Sequence, residues 1–363
     1  MNILILTGKF GMGHWSASQS LRQQFLREDP DAEAEVLDLI DYAMPSASDA
    51  WYKGFSLLVT HGSGLFNTYY KMTENMEGEA RPPFEGHFVD KLQDLLEDRR
   101  PDLVVATPPL CAQLVSRYKW ETGSALPLVT CITDLSVHSE WINRGTDFYL
   151  VGTPELGELL AEKGVDRERI IPAGIPVKAE FKETPHSRGG KRRHLLIMGG
   201  GLGLLPKKDK FYEELNALPG VKTTIIAGRN EKLRERLAGK YGNIEVVGYT
   251  DRVHEYMASA DLMLSKPGGI TLFEAISSEL PLLAWEPFLQ QEINNARFLT
   301  RAGIGVIAAK ETEDCLSAIR EVINDGERLE WMADNMRRLK SQLEENCLGR
   351  ILAGLSVTKG ACA

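Results

Sequence analysis

Ser265-Lys266-Pro267-Gly268-Gly269-Ile270-Thr271-Leu272-Phe273-Glu274 is the stretch on which the reading of this chain turns. The apolar run leading into it, Ala260-Asp261-Leu262-Met263-Leu264, has the composition of a strand buried on both faces of a parallel sheet. The run breaks at Pro267-Gly268-Gly269 and resumes as Thr271-Leu272-Phe273-Glu274-Ala275-Ile276 with helical spacing. A strand, a turn without side chains and a helix N-terminus together make an anion site. Bare backbone N–H groups and the positive end of the helix dipole converge on one point there. Glu274, read as part of the first turn of that helix, is placed to accept hydrogen bonds from a neutral diol such as a ribose.

Strands alternate with helices on the N-terminal side of this motif. The spacing predicts strands at His194–Met198, Thr223–Ala227 and Ile244–Val247, with helices near 208–218, 231–239 and 254–258. An earlier block has strands at Ile3–Leu6, Glu35–Leu39, 103–106, 128–132 and 148–151, and helices near Ser16–Arg27 and Glu155–Lys163. Such alternation implies α/β domains with parallel sheets covered on both faces. Between the blocks, residues 184–193 are polar and rich in breakers, and read as a linker. The expected organisation is an N-terminal domain over 1–183, the linker, a C-terminal domain over 194–345, and a segment over 346–363 packing back on the N-terminal domain. Ligands in such sheets bind beyond the carboxyl ends of the strands, so a cleft between two such domains is the expected site.

With 363 residues, 43% hydrophobic and 26% charged, the chain has the composition of a globular protein of about two domains. No apolar run reaches membrane-spanning length, and the N-terminus reads as a strand, not a signal peptide. A net charge of −9 argues against nucleic acid as the main partner. Cys111, Cys131, Cys315, Cys347 and Cys362 lack paired spacing and fit reduced thiols, with no metal site expected.

Candidate site residues fall at strand ends. Gly8 to Gly13 is a glycine-bearing turn without dinucleotide spacing, and the alternative is an ordinary tight turn. His14, at the mouth of the following helix, is a candidate general base or phosphate ligand. Asp134, after another strand, is a candidate for orienting or activating a hydroxyl, or a loop cap. His138 is a second cleft group or a surface histidine. Gly199-Gly200-Gly201-Leu202-Gly203 would let a pyrophosphate approach the backbone. Arg229 is placed for a nucleobase edge or a phosphate, or is solvated. Gln291, Glu292 and Asn295, read as free of nearby lysines, suit sugar hydroxyls, or simply open a polar helix.

Together these pieces resemble the GT-B glycosyltransferases related to monogalactosyldiacylglycerol synthase and the processive diacylglycerol glucosyltransferases. The lipid II-forming N-acetylglucosaminyltransferase is a more distant relative. The matching pieces are Gly11-Met12-Gly13-His14, Thr133-Asp134 to Trp141, Met198 to Gly203, Ala227-Gly228-Arg229-Asn230, Val247-Gly248-Tyr249, Lys266 to Glu274, and Gln291-Glu292 with Asn295-Ala296-Arg297.

The resemblance implies a UDP-sugar donor on the C-terminal domain, with Glu274 on the ribose. Gly268, Gly269 and Thr271 would hold the pyrophosphate, and Gln291 and Glu292 the sugar. It implies an acceptor site on the N-terminal domain, with Asp134 or His14 as base and Gly13, His138 and Trp141 nearby. The acceptor would be diacylglycerol or a glycosyl-diacylglycerol, the anomeric configuration would invert, and no metal or other cofactor is expected. The chain departs from the family pattern at Leu289-Gln290, where Pro-Gly is usual, and at Trp15 and Ser18 beside His14. Residues 42–90, read as irregular and aromatic-rich, resemble the family's membrane-docking and acceptor-binding segment. Within them Trp51–Val59 is either an interfacial amphipathic helix or a helix packed on the sheet. Basic residues such as Lys53 and Lys71 are few, so attraction to anionic lipid should be weak. The expected location is the cytoplasm, peripheral on the membrane's cytoplasmic face. A UDP-N-acetylglucosamine 2-epimerase-like enzyme and a non-catalytic UDP-sugar sensor are the alternatives.

Overall fold

The computed structural model describes the chain except residues 75, 77–81, 83, 201–204, 362 and 363, and gives only the backbone of residues 356–361. The chain forms two compact units. The first comprises Met1–Lys178, Leu289–Gln291 and Gln342–Ala363; the second comprises Ala179–Phe288 and Glu292–Ser341.

The first unit is built on β1 (Asn2–Thr7), β2 (Glu33–Asp38), β3 (Leu103–Ala106), β4 (Leu128–Cys131), β5 (Phe148–Val151) and β6 (Ile170–Pro172). All pairings are parallel, in the order β2-β1-β3-β4-β5-β6. Alternate residues of each strand feed opposite faces, so Leu4, Leu6, Val104 and Ala106 enter one core while Ile3, Ile5, Leu103 and Val105 enter the other. Cys347, Leu348 and Ile351 of the Cys347–Ala361 helix complete the second of these cores. The Glu344 N–H donates to the Pro172 carbonyl at 2.9 Å, tying the approach to that helix to the end of β6.

Residues 42–90, expected to be irregular, are largely helical where described: after the end of Leu39–Ala43 come Ser48–His61, Ser63–Thr73 and the start of Glu85–Arg99. None of these last three has a side-chain N-cap, so the usual sequence mark of a helix start is missing. Only Ser48 of the first and Tyr70 and Thr73 of the second are buried.

The second unit is built on β7 (Arg193–Met198), β8 (Val221–Ile226), β9 (Ile244–Val247), β10 (Leu262–Ser265), β11 (Leu282–Trp285) and β12 (Gly305–Ala308), in the order β12-β11-β10-β7-β8-β9. Again every pairing is parallel. Residues 184–193, read as a linker, cluster with this unit. The Ser187 N–H donates to the Ala258 carbonyl at 3.0 Å, and the Arg188 guanidinium donates to the carbonyls of Glu279, at 2.7 Å, and Ser278. A polar composition therefore marks backbone hydrogen bonding here, not a free tether.

Candidate functional site

In the first sheet the strand order turns at β1, which pairs with β2 on one side and β3 on the other. Loops leaving β1 and β3 diverge at that point, and open parallel sheets accept ligands there. Gly11 precedes the Met12–Glu28 helix with φ 107°, a conformation L side chains rarely adopt, so the turn into the helix requires glycine. Gly13 and His14 are the second and third residues of that helix.

His14 is half-buried, and its Nδ1 lies 3.1 Å from the Thr107 carbonyl oxygen, just past β3. A carbonyl only accepts, so Nδ1 carries the proton; the Thr133 hydroxyl lies 3.0 Å from the same nitrogen. Nε2 is then the unprotonated nitrogen, and no described residue bonds to it. Burial pushes the pKa down to about 4, with the Thr107 carbonyl pulling weakly the other way, so the ring is neutral at physiological pH. Thr107 is a hub: its hydroxyl lies 2.9 Å from that of Ser18 and donates to that of Thr7 at 3.1 Å. Ser18, where the family often has alanine, is thus tied into the support of His14.

Thr133 and Asp134 follow β4, and Asp134 is half-buried. Its negative charge, after burial, contributes to raising the phenol pKa of Tyr70. His138, expected as a cleft group or a surface side chain, is neither. It is 2% exposed, its Nδ1 accepts the Glu140 N–H at 3.2 Å, and its Nε2 donates to the Tyr70 carbonyl at 3.0 Å. Trp141 is 1% exposed and sits with its ring centroid 6.4 Å from that of His14, as a wall behind the imidazole.

A file of rings joins these loops. Phe10, in the turn before His14, packs edge-on to Tyr52 at 5.3 Å and Phe55 at 5.1 Å. Phe55 meets Phe66, Phe66 meets Tyr70, and Tyr70 lies 4.3 Å from His138. The Tyr52 hydroxyl donates to the Asp38 carboxylate at 2.6 Å, pinning the Ser48–His61 helix to the end of β2. Asp38 also caps the Leu39–Ala43 helix through the N–H groups of Ile40 and Asp41.

In the second sheet the order turns between β7 and β10. Gly199 and Gly200 follow β7, and Gly200 is exposed; Gly201 lies outside the described residues, as do Leu202 and Gly203. Lys266-Pro267-Gly268 follow β10, and Gly268 is the N-cap of the Gly269–Ser277 helix, with no side-chain cap bond. The first amide bonding back into the helix is that of Leu272, to the Gly268 carbonyl at 2.9 Å. The amides before it, from Gly269 to Thr271, form the kind of N-terminus that binds anions.

Glu274 lies in the second turn of this helix, not the first, and is half-buried. Asn295, read as a sugar ligand, is 1% exposed and donates to the Pro267 carbonyl at 3.0 Å, so it holds the turn in place. The expectation that Gln291 and Glu292 lie away from lysines fails for Glu292: Lys266 Nζ stands 3.5 Å from its Oε1. Gln291, half-buried, opens the Gln290–Arg301 helix beside it. The Lys266 ammonium also lies over the Phe288 ring at 5.3 Å. At the ends of β8 and β9, the Arg229 guanidinium stacks on the Tyr249 ring at 5.4 Å.

Thr107, Lys266 and Tyr249 are polar groups at these strand ends that sequence reasoning did not single out. Lys266 lay inside the quoted motif, but only the folded chain brings it against Glu292.

Residues 14–177 match the monogalactosyldiacylglycerol synthase family, and residues 194–346 match the glycosyltransferase family 28 C-terminal domain. A processive diacylglycerol β-glucosyltransferase of Bacillus cereus (strain ATCC 14579) is 28% identical over 350 residues, spanning 93% of this chain and 89% of that protein. Among solved structures, the kitacinnamycin glycotransferase superposes with a TM-score of 0.66 at 14% identity, covering 98% of both chains. MurG of Acinetobacter baumannii superposes at 0.63 with 13% identity, covering 98% of this chain and 99% of its own. At these identities the structural likeness establishes the GT-B fold alone.

The depressed pKa of His14 has a stability consequence. Between pH 6.5 and about 4 the unfolded chain takes up a proton that the native ring does not. Stability is therefore lost as pH falls through that window. The urea midpoint of wild type is expected to fall more steeply there than that of His14→Gln, whose amide can still donate to Thr107. Parallel curves would show that His14 is not held neutral.

Proposed function

We propose that this chain, a glycosyltransferase of the monogalactosyldiacylglycerol synthase family with a family 28 C-terminal domain, transfers a hexose from a UDP-sugar to diacylglycerol or a glycosyl-diacylglycerol, inverting the anomeric carbon. The observation that carries the reading is the state of His14: a neutral ring whose Nδ1–H is held by Thr107, leaving Nε2 as a proton acceptor. The acceptor class is taken from the name of the curated relative that spans most of the chain.

In the proposed step the acceptor hydroxyl oxygen bonds to the anomeric carbon as the bond from that carbon to the diphosphate oxygen breaks. The hydroxyl proton passes to Nε2 of His14, and UDP leaves with the electron pair. Asp134, in the loop that also supplies Thr133, contributes negative charge beside the developing imidazolium. The charge on the departing diphosphate is met by the Gly269–Ser277 helix N-terminus and the Lys266 ammonium, with Gly200 allowing close backbone approach. These groups supply the positive field that a metal would otherwise give, so the transfer is proposed to need none. Glu274 takes the ribose hydroxyls, Arg229 on Tyr249 the base or a phosphate, and Gln291 with Glu292 the sugar.

The protein is proposed to work as a peripheral protein on the cytoplasmic face of a membrane. Among the described residues no helix is long and apolar enough to cross a bilayer. The Ser48–His61 and Ser63–Thr73 helices present Leu57, Leu65 and Met72 outward, at 60%, 69% and 74% exposure. Trp51 and Phe55, within the Trp51–Val59 stretch read as either interfacial or packed on the sheet, are half-buried and packed on Phe88 and Phe10, so the lipid-facing role is assigned to the three exposed side chains.

Glu274→Ala is expected to weaken UDP binding by about 1–3 kcal/mol in calorimetry; unchanged affinity would remove Glu274 from the donor site. His14→Ala should lower kcat by roughly 10²–10⁴-fold while sparing UDP affinity, with Asp134→Asn acting in the same direction. Wild-type turnover in both would end the catalytic assignment, and UDP-sugar binding without any turnover in wild type would favour the sensor. Replacing Leu57, Leu65 and Met72 together with serine should cut co-sedimentation with vesicles by roughly tenfold or more, whereas equal sedimentation would place membrane contact elsewhere.

A further inference from the structure

The Gln290 N–H, the first of the Gln290–Arg301 helix, donates to Asn67 Oδ1 at 2.8 Å. Asn67 lies in the Ser63–Thr73 helix, and Leu289–Gln291 cluster with the same first unit. We propose that Asn67 is a positioning residue for the donor sugar: by capping the Gln290–Arg301 helix it sets where Gln291 stands relative to the loop that carries Asp134. The inference rests on the roles given above to Gln291 and Asp134.

The cap matters because the chain supplies none locally. The first N–H groups of a helix have no partner within it, and a side-chain oxygen of the preceding residue normally meets one of them. The preceding residue here is Leu289, 5% exposed, whose side chain has no acceptor. Gln290 is itself 7% exposed, so water is poorly placed to replace a lost partner of its N–H. The acceptor comes instead from a residue 223 positions earlier in the chain. Leu289 and Gln290 are also the two positions where Pro-Gly is usual in the family, so the turn that Asn67 holds is not the usual one.

The helix that supplies this cap is fastened to the loop after β4. One turn on from Asn67, the Tyr70 hydroxyl lies 3.2 Å from that of Ser136, and the Tyr70 carbonyl accepts from Nε2 of His138 at 3.0 Å. The Tyr69 hydroxyl donates to the Glu140 carboxylate at 2.7 Å. Burial, and then the negative charge of Asp134 in the same loop, push the Tyr70 phenol pKa up. An α-helix rises about 1.5 Å per residue, so Asn67 and Tyr70 form a spacer of fixed length between the start of the Gln290–Arg301 helix and that loop. The proposed transfer needs the acceptor oxygen and the anomeric carbon to meet in line, and a misplacement of about 1 Å is enough to slow such a step.

The test compares wild type with Asn67→Ala, Asn67→Asp, Gln291→Ala and Tyr70→Phe, by calorimetry with UDP-glucose and with UDP, and by turnover at varied UDP-glucose. Asn67→Ala should weaken UDP-glucose binding and raise its KM by roughly five- to tenfold while UDP affinity stays within about twofold, because only the sugar meets Gln291. Gln291→Ala should show the same split. Asn67→Asp, which keeps the oxygen acceptor, should restore the wild-type values. Tyr70→Phe keeps the helix but removes the hydroxyl at the loop, and should leave UDP-glucose affinity unchanged. Equal losses for UDP-glucose and UDP in Asn67→Ala, no loss for either, or a loss in Tyr70→Phe equal to that in Asn67→Ala would overturn the assignment. So would an effect of Asn67→Ala without one of Gln291→Ala. The failure of the transferase reading looks different: the expected split in binding, with no turnover by wild type, would keep Asn67 as a positioning residue for a bound sugar and remove the transfer.

Discussion

Each unit is organised by one constraint: a parallel strand that has neighbours on both sides must send its loops apart. β1 does this between β2 and β3, and β7 between β8 and β10. The chain cannot close the resulting gap with its own regular structure, because each loop must turn into a helix covering a different face. In the first unit the gap is spanned through Thr107: its hydroxyl lies 2.9 Å from that of Ser18, and its carbonyl accepts from the imidazole of His14. That bond fixes the tautomer of the ring as well as its orientation. In the second unit the gap is flanked by the glycines after β7 and by the turn after β10, which Asn295 holds from below.

The helix that begins at this second gap is secured past its C-terminus. Its N-terminus has no side-chain cap. Past its C-terminus, Arg188 donates to the carbonyls of Ser278 and Glu279, and the Glu279 carboxylate pairs with Arg337 and Lys340. Positive charge at the negative end of the dipole stabilises the helix and leaves its positive end available. The residues expected to form a linker thus hold the helix whose N-terminus is the proposed anion site.

In the first unit the corresponding support is aromatic. Asp38 binds the backbone of one helix and the Tyr52 hydroxyl of the next, and the rings from Phe10 to Tyr70 continue that contact to the loop after β4. His138 ends the file as a packed, fully bonded ring. Its position in a motif-like stretch made it look like a ligand group, but sequence cannot show whether both ring nitrogens already have partners. The same blindness applies to Asn295, whose amide is used on Pro267.

The strands and the glycine turns were legible because their signals are local: apolar runs of strand length, and side-chain-free positions immediately after them. That pattern was enough to read two α/β halves and to place the candidate residues at strand ends. The helices over 42–90 were not legible, because they start without side-chain caps and interleave aromatic residues with polar ones on largely exposed surfaces. The position of Glu274 was misread by one turn, since the helix starts at Gly269, two residues before Thr271, where the apolar pattern resumes. What the sequence determined by itself was two blocks of alternating strands and helices, without β6, β12 or the helices over 42–90, and the chemistry available at the ends of the strands it read. What only tertiary structure decided was which of those groups meet: Lys266 with Glu292, Ser18 with Thr107, and Thr107 with His14. These contacts join residues far apart in the chain, so no local pattern encodes them; they exist because parallel pairing brings distant strand ends side by side.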